Sequence, residues 1–139
     1  MSYTILSKFI KDISFEIPDA KTFTMIEKEI SQYNLNFDVK SKPFKNNIIE
    51  VNTVLRLVPN ENVKNKMLTE INMAALVSIE NGMDDKKKLE KIILIDVPQT
   101  IYPILYETFV FLFTKAGLKN ISIEKEVNFE KMYNEKFKS

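Results

Sequence analysis

Three features of the chain predict an α+β fold. Four segments before residue 80 alternate apolar and polar side chains with the period of a strand. The segments after residue 84 repeat with the period of a helix, and no linker, internal repeat or low-complexity stretch separates the two regions. The predicted architecture is a four-stranded antiparallel sheet followed by C-terminal helices, in a single domain spanning residues 1–139.

The first strand is expected over about Thr4 to Ile17. Ile5, Phe9, Ile13, Phe15 and Ile17 share one parity, and Lys8, Asp12, Ser14 and Glu16 share the other, with Leu6 and Ile10 intruding. Pro18-Asp19 ends it, and Phe23, Ile26 and Ile30 then have the spacing of a short helix. The second strand, Asn34 to Lys40, alternates without error: Leu35, Phe37 and Val39 face one way and Asn34, Asn36, Asp38 and Lys40 the other. Ser41-Lys42-Pro43 and Asn46-Asn47 mark the connection to a third strand. That strand runs from Ile48 to Val58, with Ile49, Val51, Leu55 and Leu57 inward and Pro59-Asn60 as its stop.

The fourth strand is expected over about Asn65 to Ile79, with Met67, Ile71, Met73, Ala75, Val77 and Ile79 on one side. Asn81-Gly82 closes the strand region. Asp84 is the expected N-cap of a helix from Asp85 to Ile95. A second helix is expected to start at Thr100, which puts Pro103 in its first turn, where a missing N–H costs nothing. Gly117 is placed to stop it. Asn128 is placed to cap a last helix with Phe129, Met132, Tyr133 and Phe137 on one side.

Composition narrows the chemistry. The chain has no Cys and no His, which removes thiolate nucleophiles, disulfides, Cys-based zinc sites and every His-containing triad. With only Gly82 and Gly117, no phosphate-cradling loop can be built. No catalytic residues and no cofactor are expected, and the chain reads as a protein that is not an enzyme. The 20 basic and 19 acidic side chains give a net charge of +1, no basis for nucleic-acid binding. Lys86-Lys87-Lys88 reads either as a solvated helix start or as a phosphate contact. Met1 to Lys8 lacks the basic and apolar regions of a signal peptide. The most apolar window, Ile92 to Phe113, is interrupted by Asp96, Pro98, Gln99, Pro103 and Glu107 and falls short of a membrane span. A cytoplasmic protein without direct membrane insertion is expected.

The long helix carries a further message. Ile101, Ile104, Leu105, Thr108, Phe109, Leu112 and Phe113 form a wide stripe, and Tyr102, Val110 and Phe111 fill much of the remainder. A helix apolar nearly all round is covered on more than one side. Either a partner subunit covers the second side, or the helix is an enclosed core element.

Six stretches, in order, resemble the SecB family of protein-export chaperones. Lys11-Asp12-Ile13-Ser14-Phe15-Glu16-Ile17-Pro18 resembles its opening strand, and Leu35-Asn36-Phe37-Asp38-Val39 its second. Leu68-Thr69-Glu70-Ile71 and Leu76-Val77-Ser78-Ile79 resemble its fourth. Pro98-Gln99-Thr100-Ile101-Tyr102-Pro103 is similar to the entry to its long helix, and Val127-Asn128-Phe129-Glu130-Lys131-Met132-Tyr133 to the start of its last helix. The resemblance covers nearly the whole chain.

It implies a homotetramer built as a dimer of dimers, with the long helices between the sheets of the two dimers. Unfolded preproteins would be held without ATP in apolar surface grooves and passed to SecA. The resemblance places the SecA contact on Asp12, Glu16, Leu68 and Glu70. The strand parities agree, since Asp12 and Glu16 lie opposite Ile13 and Phe15, and Leu68 and Glu70 opposite Met67 and Ile71. Ordinary solvated strand faces would show the same parity.

The family's second strand and last helix point to Leu35, Phe37, Val39, Met132 and Tyr133 as client-binding residues, with core packing as the alternative for each. The helix stripe of Ile101, Ile104, Leu105, Thr108, Phe109 and Leu112 would form the oligomer interface. The chain departs from the family in its near-neutral charge, in ending at Lys136-Phe137-Lys138-Ser139 without an acidic tail, in Ala74-Ala75 where the family has a Gly pair, and in Tyr106 where it has Arg. A holding chaperone outside secretion, such as one attached to a toxin–antitoxin system, and an apolar-ligand-binding subunit are the alternative readings.

Overall fold

A computed structural model describes residues 2–80 and 84–137, the Phe137 side chain excepted. Strands β1 (Tyr3–Glu16), β2 (Tyr33–Lys45), β3 (Ile48–Pro59) and β4 (Leu68–Ile79) form one antiparallel sheet. Their order is β1-β4-β3-β2, so β1 and β2 are the two edges. Helix α1 (Ala20–Glu29) joins the first two strands. Asp19 caps it, accepting from the Thr22 N–H and hydroxyl at 2.8 and 2.7 Å. Helices α2 (Lys86–Lys91), α3 (Val97–Lys115) and α4 (Phe129–Phe137) follow the sheet. The predicted α+β architecture is the one observed.

One face of the sheet is covered by α3. Val51, Leu55, Ile71, Ala75 and Val77 point into that layer and have no exposed surface, and Ile101, Leu105 and Phe109 meet them. The row 101, 105, 109, 113 faces the sheet because residues four apart lie above one another on a helix. The other face of the sheet carries no helix and is lined largely by polar side chains.

The first strand departs from the predicted parity. Pairing with β4 shifts between Ile5 and Ser7 and again between Ile10 and Asp12, so Leu6 and Lys11 are bulge residues. Between the bulges the faces exchange. Phe9 pairs with Ala74 and so lies on the helix-free face, while Ile10 pairs with Met73 on the core side. Phe9 therefore does not share a face with Ile5, Ile13 and Phe15. The second bulge restores the parity and leaves Asp12, Ser14 and Glu16 on the helix-free face.

Strand β2 runs past the predicted connection. Ser41, Lys42 and Pro43 pair with Val51, Glu50 and Ile49, and only Asn46 and Asn47 form the turn. Pro43 is tolerated because β2 is an edge strand. Asn46 takes the left-handed conformation, φ +50°, that tight hairpins need and Asn accepts.

The helical region is continuous from Lys86 to Lys115, where a break between Ile95 and Thr100 was expected. Asp85, one residue later than predicted, caps α2 by accepting from the Lys88 N–H at 3.2 Å. A wide turn, Ile92–Asp96, then leads directly into α3, and the Val97 N–H donates to the Ile92 carbonyl five residues back. This looser turn sits just before Pro98, whose ring would crowd a regular preceding turn. Pro103 consequently lies inside α3 rather than in its first turn. Asn81-Gly82 falls outside the described residues.

Gly117 ends α3 as predicted. Its φ is +90°. The Gly117 N–H donates to the Thr114 carbonyl and the Leu118 N–H to the Phe113 carbonyl, at 3.1 and 3.0 Å. This paired arrangement closes a helix through a left-handed residue. A Cβ at position 117 would also lie 3.4 Å from the Phe23 ring. Gly117→Ala is expected to lower stability by about 1–2 kcal/mol in urea titration, the cost of a left-handed non-glycine residue.

Candidate functional site

The apolar residues of β2 and α4 meet across a cleft of about 130 Å³. Phe37 and Val39 of β2, Leu94 of the wide turn, and Phe129, Met132 and Tyr133 of α4 line it, with Asp38 and Lys136 at the rim. Alternation on β2 places Phe37 and Val39 on the core side, and the spacing 129, 132, 133, 136 puts one face of α4 over them. Asn128 starts α4 by accepting from the Lys131 N–H at 2.9 Å. Phe37 is the hinge of the aromatic packing, edge-on to Phe129 at 5.3 Å and to Tyr102 at 5.6 Å. Beyond Val39 and Leu94 the cleft continues toward Ser41, Lys86, Leu89, Glu90 and Ile93.

Of the five residues read as client-binding, Phe37, Val39, Met132 and Tyr133 line this cleft. Leu35 does not. It lies two residues earlier on the same side of β2, half-buried against the core. Met132 is 38 % exposed and offers the most accessible apolar surface in the cleft. Burial first, and then the hydrogen bond to the Glu90 carboxylate, pushes the Tyr133 phenol above its ordinary pKa.

Two polar clamps hold α4 in place, and the sequence alone does not flag them as such. The Gln99 side-chain amide donates to the Val127 carbonyl at 2.8 Å, and its oxygen accepts from the Phe129 N–H at 3.3 Å. The Tyr102 hydroxyl donates to the Glu124 carbonyl. Burial pushes the Tyr102 phenol up to about 12, with the neighbouring Tyr106 and Glu124 adding to the shift. Leu94 is a further cleft residue, and the apolar run Ile92 to Ile95 is its signal in the sequence.

The second candidate surface is the helix-free face. Glu16 pairs directly with Leu68, Ser14 with Glu70 and Asp12 with Asn72. Asp12, Glu16, Leu68 and Glu70 are thus gathered on one face of two adjacent strands. Leu68 is 50 % exposed, and Asp12 and Glu16 are open to solvent. Glu70 is not a free acid, because Arg56 of β3 forms an ion pair with it. Arg56 also approaches Asp38 at 3.9 Å, and Lys40 lies 3.6 Å from Asp38. The patch is acidic along β1 and neutralised toward β2.

The stripe read as an oligomer interface divides. Ile101, Leu105 and Phe109 are fully enclosed by their own sheet and have no surface to give another subunit. Ile104, Thr108 and Leu112 are half-buried, and Val110 and Phe111 are 40 and 59 % exposed. The apolar surface left on α3 is therefore turned away from the 101–105–109 row. No helix among the described residues is long and apolar enough to cross a membrane.

A sequence model of the family described as "Preprotein translocase subunit SecB" matches residues 1–139. The chain is 42% identical to the putative protein-export protein SecB of Pelagibacter ubique, over 97% of this chain and 96% of that protein. It is 28% identical to the protein-export protein SecB of Nitrosomonas eutropha, over 96% of this chain and 82% of that one. Among solved structures, it shares its fold with the SecB-like chaperone of Mycobacterium tuberculosis in complex with a ChAD peptide from the HigA1 antitoxin. The TM-score is 0.63 at 14% identity, over 88% of both chains. A protein of unknown function from Streptococcus agalactiae superposes with a TM-score of 0.53 at 9% identity, over 89% of this chain and 98% of that one.

Proposed function

The chain belongs to the SecB family, and from that premise we propose a chaperone of preprotein export that holds unfolded clients without ATP and passes them to SecA. The cleft between β2 and α4 carries this reading. It gathers Phe37, Val39, Met132 and Tyr133 on an open apolar surface beside an edge strand, with the buried Phe129 also in its lining. Aromatic rings and a flexible thioether suit a surface that must accept many sequences. The test is suppression of light scattering by an aggregating unfolded protein, at fixed chaperone concentration. Met132→Glu should weaken suppression several-fold, because it puts a charge in the apolar contact. Its thermal unfolding should stay near wild type, since Met132 is exposed. Full activity in that variant would remove the cleft from the reading.

The proposed SecA contact is the face bearing Asp12, Glu16, Leu68 and Glu70. Charge complementarity would steer a basic partner surface onto it. Glu16→Lys is expected to weaken SecA binding by at least about tenfold, as the loss and reversal of a steering charge, with aggregation suppression unchanged. Equal SecA affinity of wild type and variant would move the contact elsewhere.

The Arg56–Glu70 pair and the net charge of +1 favour a second reading, a holding chaperone whose partner is not SecA. Wild-type protein that suppresses aggregation yet ignores SecA would select it. We place the work in the cytoplasm, with residues 1–139 acting as one unit. The proposed assembly is a tetramer, built through the outward side of α3 at Ile104, Val110, Phe111 and Leu112. Light-scattering mass on a sizing column decides the assembly.

A further inference from the structure

The cleft is apolar along its length but not electrically even at its ends. Its extension past Val39 and Leu94 reaches the start of α2, where Lys86 lines it together with Ser41, Leu89, Glu90 and Ile93. Lys87 sits three residues before Glu90, on the adjoining ridge of the same helix. Lys86, Lys87 and Lys88 are all exposed.

The acids beside the cleft are already engaged. Asp38 faces Lys40 at 3.6 Å and Arg56 at 3.9 Å. Glu90 is hydrogen-bonded to the Tyr133 phenol. Asp85 is committed to the Lys88 N–H, and its carboxylate lies 4.0 Å from the Lys88 ammonium. Among the described residues, no carboxylate lies within ion-pair distance of Lys86 or Lys87. Uncompensated positive charge therefore remains where the cleft opens at α2.

The lysines are also placed against local helix preference. Three cations fill the first turn of α2, which holds no acidic residue of its own, and the Asp85 cap is committed to Lys88. The positive end of a helix disfavours cations, by a few tenths of a kcal/mol to about 1 kcal/mol each. A broken local rule with no gain inside the fold points to a role outside it.

We infer that Lys86 and Lys87 set client preference: the cleft takes apolar segments that carry Asp or Glu next to the apolar stretch. The inference rests on the chaperone reading of the cleft and names the chemistry of its client. An extended chain lying along Phe37 and Val39 would bring its flanking residues to the lysines at the α2 end. Acidic flanks would pair with them and basic flanks would be repelled.

The test uses three labelled peptides with one apolar core, flanked on both sides by Asp, Ser or Lys pairs, titrated with the full chain. At low salt the Asp-flanked peptide should bind about tenfold more tightly than the Lys-flanked one, as two or so exposed charge contacts change sign. The gap should shrink in high salt as screening shortens the reach of the lysines. In Lys86→Glu/Lys87→Glu the order should reverse. Equal binding of Asp- and Lys-flanked peptides overturns the inference, as does a preference that survives the double variant. Ser-flanked binding separates the two levels of the argument. If it persists without charge preference, only this inference falls; if no peptide binds, the chaperone reading of the cleft falls with it.

Discussion

Phe109→Ala is expected to lower the free energy of unfolding by about 4 kcal/mol, within the 3–5 kcal/mol typical of a buried phenylalanine. Phe109 has no exposed surface and stacks on Phe113 with ring centroids 4.0 Å apart and planes 17° apart. Phe113 in turn meets Phe15 of β1 edge-on at 5.4 Å. One side chain thus joins α3 to the sheet and supports a second aromatic pair. Deleting the ring removes its transfer energy and leaves a cavity that two flanking aromatic rings cannot collapse to fill. The urea midpoint should fall with an unchanged slope. A loss under 1 kcal/mol would mean that α3 is not anchored through this row.

The same residue marks where sequence reasoning reached and where it stopped. The apolar stripe of α3 was legible, because a period near 3.6 shows through any tertiary setting. Which part of the stripe meets the chain's own sheet was not legible. Periodicity assigns Ile101 and Ile104 to one broad face. Only the docking of the helix separates the enclosed row 101–105–109 from Ile104 and Leu112.

The bulges of β1 taught a related lesson. Leu6 and Ile10 broke the alternation, and that break was the visible trace of two inserted residues. Strict parity carried through the break put Phe9 on the wrong face. One helix was expected to end at Ile95 and the next to start at Thr100, and the wide turn at Ile92–Asp96 joins them instead. For the candidate site, the family resemblance pointed to Phe37, Val39, Met132 and Tyr133, while alternation on β2 and helical spacing on α4 alone left core packing open for each. The clamps from Gln99 and Tyr102 depend on how the 119–128 segment folds back, which no local pattern encodes.

The second large effect belongs to the bulge residue Lys11. Its ammonium lies 2.5 Å from a Glu50 carboxylate oxygen on β3, and the same oxygen accepts from the Asn52 amide at 2.8 Å. Glu50 is only 8 % exposed, although it lies on the face that no helix covers. An acid so placed needs its partner. Lys11→Met would keep the aliphatic stem and remove the charge, leaving a buried carboxylate with only the Asn52 amide.

Breaking a fully buried pair costs about 3–5 kcal/mol. The Lys11 side chain remains 37 % exposed, so water relieves part of the loss and a destabilisation of about 2 kcal/mol is expected. The pH dependence distinguishes this cause from lost packing. Hydrogen bonds from Lys11 and then Asn52 hold the Glu50 carboxyl below its ordinary value of 4.5. A depressed acid contributes stability that is complete above that ordinary value and fades as pH falls through the lower folded value. Wild type should therefore lose this contribution below about pH 4.5, while Lys11→Met should show a smaller loss over the same range. Glu50→Gln in the Lys11→Met background should recover stability, because the unpaired charge is gone. Equal stability of the single and double variants at neutral pH would show that the unpaired Glu50 carboxylate carries none of the cost.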